Sequence, residues 1–412
     1  MFRRIVILGL GLLTGCSRSC VSHDPAEFGA HEAPLDAPPD KPHAVVFSPH
    51  CASEIERPVL GVLPGAEGEV DQLSASCDGH MLGVWALRGH TLDHMTREAS
   101  EGSHWSPATR VTASADRLGA VDPRHPYGPV VWRAPTLGGS DERDDLWRFD
   151  HGREGDALAP AGVVGVGFPS TFERRVIAGF ARQGEAPFIA RVEVPLGLRR
   201  PSEARPERVM VGELLAVDHA GDVLLTRVVT ESGPALVFRF DDGSTSRVQL
   251  DNAMVNVHPR GVSVGGRSVF LVGEMHASPD GGGCVDLGPG RCIVPGEVSL
   301  LVAAHGRPVQ RWPLDEHALP DGLAVDHGAA LALWVRPVVG SDTTFERAAR
   351  VEIPSGRVHT LTLTAPPGVE ALDNAALTTC GDTAWITFPS RRAPGDGGGA
   401  AVMALPWSCV AR

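Results

Sequence analysis

Two dipeptides in this 412-residue chain carry the residue types of a metal site, Asp218-His219 and Asp326-His327, and Asp78 with His80 lies in a similar setting near a third turn. An imidazole beside a carboxylate suits Zn, Ni or Mn. Each set also lies within two residues of a turn Gly, and Asp is a turn former because its side chain bonds its own backbone. Turn chemistry is the favoured reading. No metal and no cofactor is therefore expected, and Asp218, His219, Asp326 and His327 remain secondary candidates. The chain holds no HExxH, GxSxG, phosphate-cradling Gly loop, calcium-hand loop or paired CxxC zinc pattern.

Binding residues are sought instead in four long connections, at residues 133–144, 276–294, 337–348 and 389–399. Their charged groups Asp141, Glu142, Arg143, Asp280, Asp286, Asp342, Arg391 and Arg392 offer carboxylates and guanidinium forks to a protein or glycan partner. Two of the connections resemble each other, Gly139-Ser140-Asp141-Glu142-Arg143 and Gly340-Ser341-Asp342 with Glu346-Arg347. A third contains Cys284 and Cys292, which could clip the loop and reduce the entropy lost when a partner fixes it. The competing reading is four solvated, variable loops.

The elements that must carry these loops show best at residues 323–336, where two apolar runs flank an Asp-His-Gly turn. Gly takes positive φ at low cost, so such a centre reads as a hairpin. Comparable turns recur at Gly79, Gly128, Glu173, Gly221, Gly266, Gly328 and Gly381. A second series falls at Gly102, Gly152, Gly197, Gly243, Gly306 and Gly356. Both series repeat at about 50 residues, and both lengthen at the same place, which is the signature of a four-stranded propeller blade. With strands A to D numbered from the axis outward, the first series is A–B and the second C–D. The four long connections are then B–C loops on one face.

The expected fold is all-β, a seven-bladed β-propeller, with six or eight blades left open because the Glu173 turn is degenerate. The C–D series is one turn short, so the last blade needs an outer strand from elsewhere. Residues 56–63 are the expected N-terminal donor, a closure that hides sheet edges. Trp85, Trp132, Trp334 and Trp385 each lie an even number of residues beyond their turn Gly. By strand alternation they are expected on one face of strand B, packed between blades.

Eight Cys indicate an oxidising compartment. Cys51 with Cys409, Cys77 with Cys380, and Cys284 with Cys292 are candidate bridges, leaving Cys20 odd. The alternative pairing, Cys51 with Cys77 and Cys380 with Cys409, is local and stays open to sequence reasoning.

Arg3 and Arg4 precede a short apolar run and then Leu13-Thr14-Gly15-Cys16. The run is too short to span a bilayer as a permanent helix. Leu13-Thr14-Gly15-Cys16 resembles the bacterial lipobox. That resemblance implies cleavage before Cys16, acylation of Cys16, export across the inner membrane and a lipid anchor. Ser17, where sorted families retain Asp at the inner membrane, points to the outer membrane. Residues 1–15 are then a signal peptide, 16–42 a tether rich in Pro, Asp and Ala, and 43–412 the propeller. A net charge of -13 argues against a nucleic-acid partner.

One hairpin, Ser100-Glu101-Gly102-Ser103-His104-Trp105-Ser106-Pro107, resembles the Asp-box turn of sialidase-like propellers, with Ser100 where the box has Asp. The resemblance implies a structural turn and not catalysis. Sialidase chemistry needs a Tyr nucleophile. Tyr127 is the one Tyr, placed by its Pro and Gly neighbours in a turn. The functional expectation is a membrane-anchored lipoprotein whose propeller is a noncatalytic binding or scaffold module for a protein or glycan at the cell envelope. The alternatives are a carbohydrate hydrolase or lyase with its site at the channel mouth, and a passive subunit of an envelope complex.

Overall fold

The computed structural model describes residues 61–62, 70–100, 103–112, 115–118, 127–133, 145–150, 153–157, 164–172, 175–181, 188–193, 206–211, 213–218, 222–231, 233–249, 254–258, 260–277, 285–286, 292–326, 328–337, 344–353, 355–362, 370–371, 375–391 and 399–406. Every regular element among the described residues is a β-strand. Short apolar runs punctuated by Gly and Pro leave no stretch long enough for a stable helix, so pairing between neighbouring runs is the available way to satisfy the backbone.

The strand β1 (Gly61–Val62) precedes a regular series of meanders. The first is a four-stranded antiparallel sheet of β2 (Gln72–Cys77), β3 (Met81–Arg88), β4 (Thr91–Glu98) and β5 (Thr109–Thr112). The same order repeats in β6 (Ala115–Leu118), β7 (Tyr127–Arg133), β8 (Asp145–Asp150) and β9 (Arg153–Ala157). It repeats again in β10 (Val164–Phe172), β11 (Arg175–Ala181), β12 (Phe188–Glu193) and β13 (Pro206–Val211). Next come β14 (Glu213–Asp218), β15 (Val223–Thr230), β16 (Gly233–Phe240) and β17 (Thr245–Gln249).

In the following meander the inner edge is divided. Both β18 (Met254–Val257) and β19 (Arg260–Val264) pair with β20 (Arg267–Ala277), and the break falls where the sequence has Pro259, which cannot donate to a ladder. The two-residue β21 (Val285–Asp286) then pairs with β22 (Cys292–Ala303), and β23 (Gln310–Asp315) lies outside. A further sheet holds β24 (Leu319–Asp326), β25 (Ala329–Pro337), β26 (Thr344–Glu352) and β27 (Val358–Thr362). In the last, β28 (Glu370–Ala371) and β29 (Ala376–Cys380) share β30 (Thr383–Arg391), followed by β31 (Gly399–Pro406). Gly61 lies opposite Val402 and Val62 opposite Ala401, so β1 supplies the outermost strand of this last sheet from the other end of the chain.

The inner strands β2, β6, β10, β14, β19, β24 and β29 adjoin one another in that order, and β29 adjoins β2. Two of them pair directly, Val217 with Arg260 and Asp218 with Gly261, in parallel register. Such a circuit of meanders is the plan of a β-propeller. The core follows from it, because each sheet must bury both faces against its neighbours. Leu225, Leu236 and Phe238 pack with Phe270 and Val272 of the next sheet, while Ile177 and Ile189 pack with Leu214, Val217 and Leu224. The first and last sheets share Leu82, Val84 and Met95 with Ala376, Trp385 and Val402.

Cys77 and Cys380 end the inner strands on either side of that seam and form a disulfide, with Cα atoms 5.5 Å apart. This excludes the arrangement in which Cys77 joins Cys51 and Cys380 joins Cys409. Cys16, Cys20, Cys51, Cys284 and Cys409 lie outside the described residues, as do residues 1–60.

The expectation of one common face for the strand-B tryptophans needs correction. Trp85 packs with Leu118 of the following sheet, and Trp385 also faces the following sheet across the seam. Trp334 instead faces the preceding sheet, among Leu271, Val298 and Leu300. The reason is turn phase. Gly79 and Gly381 are the first residues of two-residue turns closed by Asp78 with Met81 and Cys380 with Thr383. Gly328 is the second residue of the turn closed by Asp326 and Ala329. Counting from Gly is therefore out of step by one residue, which moves a side chain to the other face. The side chain of Trp132 is not among those described.

Candidate functional site

Antiparallel order sends all four long connections to one end. They join β7 to β8, β20 to β22, β25 to β26 and β30 to β31. The loops are shorter than their sequence spans, because the strands run further into them. His276 pairs with Val294, Pro337 with Thr344, and Ser390 with Gly399. Glu346 and Arg347 lie in β26 opposite Val335 and Trp334, so this part of the motif belongs to a strand and not to a loop.

Of the candidate binding residues, Asp141, Glu142, Arg143, Asp280, Asp342 and Arg392 lie outside the described residues. Asp286 stands opposite Cys292 at the base of its loop, and Arg391 stands opposite Glu370. At the same end, β15 and β16 meet through a tight turn in which the Thr230 hydroxyl donates to the Gly233 carbonyl at 2.7 Å. Val229, opposite Pro234, is 86% exposed there. An apolar step of this kind on the loop-bearing end was not singled out from the sequence, because it reads as one more β-branched strand residue.

The opposite end carries the A–B turns and the Asp candidates. Asp218 is buried and fully engaged. Its Oδ1 accepts the backbone N–H groups of Asp222 at 2.8 Å and Val223 at 3.1 Å, and its Oδ2 accepts the hydroxyls of Ser263 at 2.7 Å and Ser268 at 2.8 Å. One carboxylate thus shapes its own turn and ties β14 to the next sheet. Asp78 Oδ1 accepts the N–H of Met81 at 2.9 Å and of His80 at 3.3 Å, again capping a turn. Asp326 closes its hairpin opposite Ala329, while His219 and His327 lie outside the described residues. Among the described residues, no group of three His, Cys, Asp or Glu could hold a metal ion. Tyr127 is the first residue of β7, opposite Asp150, and not a turn residue.

Polar networks that sequence reasoning missed lie between the sheets. Asp315 of β23 accepts the Trp334 indole N–H at 2.6 Å and the Arg336 Nε–H at 2.8 Å, both from β25 in the next sheet. Gln72 Oε1 accepts the Leu118 N–H at 2.7 Å across the first junction. Within one sheet, Arg311 sits between Glu274 and Glu297, both at 2.8 Å. Burial works against the Arg311 charge, and the bonds to Glu297 and Glu274 outweigh it, holding the guanidinium above its ordinary pKa. No local pattern marks these partners, since each joins residues brought together by packing.

No protein-family model matches the chain, and no curated protein sequence matches it. Solved structures do resemble it. Hydrazine synthase of Kuenenia stuttgartiensis aligns at a TM-score of 0.48 and 14% identity, over 84% of this chain and 97% of that one. The WD40 domain of Toxoplasma gondii coronin aligns at 0.46 and 8% identity, over 84% and 86%. A puromycin-hydrolyzing peptidase of Mycobacterium tuberculosis aligns at 0.45 and 13% identity, over 87% of this chain and 53% of the peptidase.

Proposed function

We propose that the chain is a seven-bladed β-propeller, anchored to the outer membrane by lipid on Cys16, that binds a protein or glycan through its B–C face without catalysing a reaction. The observation that carries the reading is the division of labour between the two ends. The A–B end uses its carboxylates internally, as Asp218 and Asp78 do, whereas the B–C end collects the four long connections and the exposed Val229. Function gathers on loops held by a rigid scaffold, and such a division is what a binding disc requires. The inner-strand succession and the pairing of β1 with β31 support seven blades closed by the N-terminal segment.

The test is affinity capture from solubilised envelope with the intact protein. A second protein has residues 338–343 and 278–291 shortened, and a third carries Val229→Asp. Capture of a discrete protein or glycan by the intact chain, lost in both variants while the melting transition is kept, is expected. Capture that survives both changes places binding elsewhere. Metal found by elemental analysis and lost in Asp218→Ala with Asp326→Ala would favour the enzyme reading instead.

A further inference from the structure

The seam between the first and last sheets contains buried hydrogen-bond donors with no acceptor among the described residues. The Trp385 indole N–H and the Thr378 hydroxyl are buried, in residues 4% and 1% exposed, and neither has a hydrogen-bond partner among the described residues. They are cross-strand neighbours in β29 and β30, so they share one face. The Arg97 guanidinium of β4 lies over the Trp385 ring, 5.0 Å from its centroid, and its Nε is likewise buried and unpaired. The Trp105 indole N–H, packed against the same seam cluster, is the fourth such atom.

The chemistry of this set is one-sided. Indole and guanidinium nitrogens donate and never accept, and the hydroxyl can donate as well. Arg97 is half-buried, and its Nε is the guanidinium nitrogen that is buried without an acceptor among the described residues. Leaving several donors buried without an acceptor is costly, and an anion held between the two sheets beside Arg97 would supply the acceptor they lack. The Trp385 face attracts the guanidinium without neutralising it, so its single charge is matched by a monovalent ligand and exceeded by a dianion.

We infer that Arg97, Trp385, Thr378 and Trp105 form a site for a small monovalent anion, a halide or a short carboxylate, held between the first and last sheets. The site is separate from the B–C face and does not depend on the binding role given to it. Its ligand would touch both sides of the junction where the first and last sheets meet, and so would strengthen ring closure.

The full chain would be melted in sodium chloride, or in sodium acetate for the carboxylate arm, with ionic strength held constant by gluconate, a much bulkier anion. A saturable rise in melting temperature with chloride or acetate is expected. Arg97→Met keeps the stem and removes the charge, and Trp385→Phe keeps the ring and removes the N–H. Loss of a charge-assisted bond should weaken the apparent anion affinity at least about tenfold in each. Bromide soaked into crystals should give an anomalous peak beside Trp385. No saturable shift in the intact protein, or an equal shift in both variants, overturns the inference. Should Arg97→Met fail to fold, Thr378→Val and the bromide peak decide the matter alone.

Discussion

Cys77 and Cys380 are 303 residues apart in the chain and are joined through sulfur at the inner edge of the seam. The same seam is held further out by β1 on β31, so two ties act at different radii. A bridge over a loop this long removes much chain entropy from the unfolded state, and such bridges typically contribute about 2–5 kcal/mol. Replacing both cysteines by Ser should lower the urea midpoint by a corresponding amount while leaving the β-sheet circular dichroism unchanged. A double variant as stable as the parent would mean that the outer strand alone closes the circuit.

Asp218 is predicted to matter for stability rather than for metal. Asp218→Ala removes an acceptor from two backbone N–H groups and two hydroxyls at once, at a cost of about 3 kcal/mol. Asp218→Asn keeps the volume, and the serine hydroxyls can rotate to accept from its amide, so about half that loss is expected. Denaturant unfolding of both proteins checks the order. Equal losses would show that the charge, and not the bonding pattern, is what the site requires.

The meanders were legible in the sequence because Gly at a turn leaves a local mark. Gly79, Gly266, Gly328 and Gly381 all adopt positive φ where the A–B turns were expected. The pairing of Cys77 with Cys380 was legible as one of two options, since only a closed circuit brings the two inner strands together. The face of Trp334 was misread because two-residue turns place Gly at either position, and the letters do not say which. Asp315 with Arg336 and Gln72 with Leu118 left no local mark at all. Their meaning exists only once neighbouring sheets are packed. The loop ends were misplaced for a related reason, since Glu346 and Arg347 look like loop residues until β25 pairs with them.

Gly261 should not tolerate a side chain. It lies where β14 and β19 pair directly, and Phe270 passes behind it. An added Cβ would stand 2.5 Å from Phe270 Cε1, 2.7 Å from Cδ1 and 3.0 Å from the Val269 carbonyl oxygen. Phe270 is fully buried against Phe238, with ring centroids 5.6 Å apart, so its displacement would disturb the packed core. Overpacking of this kind costs about 1–3 kcal/mol. Gly261→Ala should therefore unfold at lower denaturant, and Phe270→Leu added to it should restore part of the loss. Gly243→Ala, open on all sides but at φ 84, isolates the conformational cost for comparison.

His94 makes the stability of the first sheet sensitive to acid. Its imidazole stacks on Trp85 with ring centroids 3.8 Å apart and 19° between planes, and Gly83 leaves room for its Nε2. Burial penalises the charged ring and lowers its pKa from 6.5 to about 4. Between those values the unfolded chain binds the proton and the folded chain does not, so stability rises with pH across that window. The contribution is fully present above about pH 6.5, declines as the pH falls toward 4, and loses nothing more below that. Its full span is about 3 kcal/mol as an upper bound. His94→Gln cannot take up a proton, so the difference in urea midpoint between parent and variant should change in the parent's disfavour from pH 7 to pH 4. Carboxylates titrate in the same range in both proteins and cancel in that difference. A constant difference from pH 7 to pH 4 would mean that His94 is protonated in the folded chain, and that its ring reaches water.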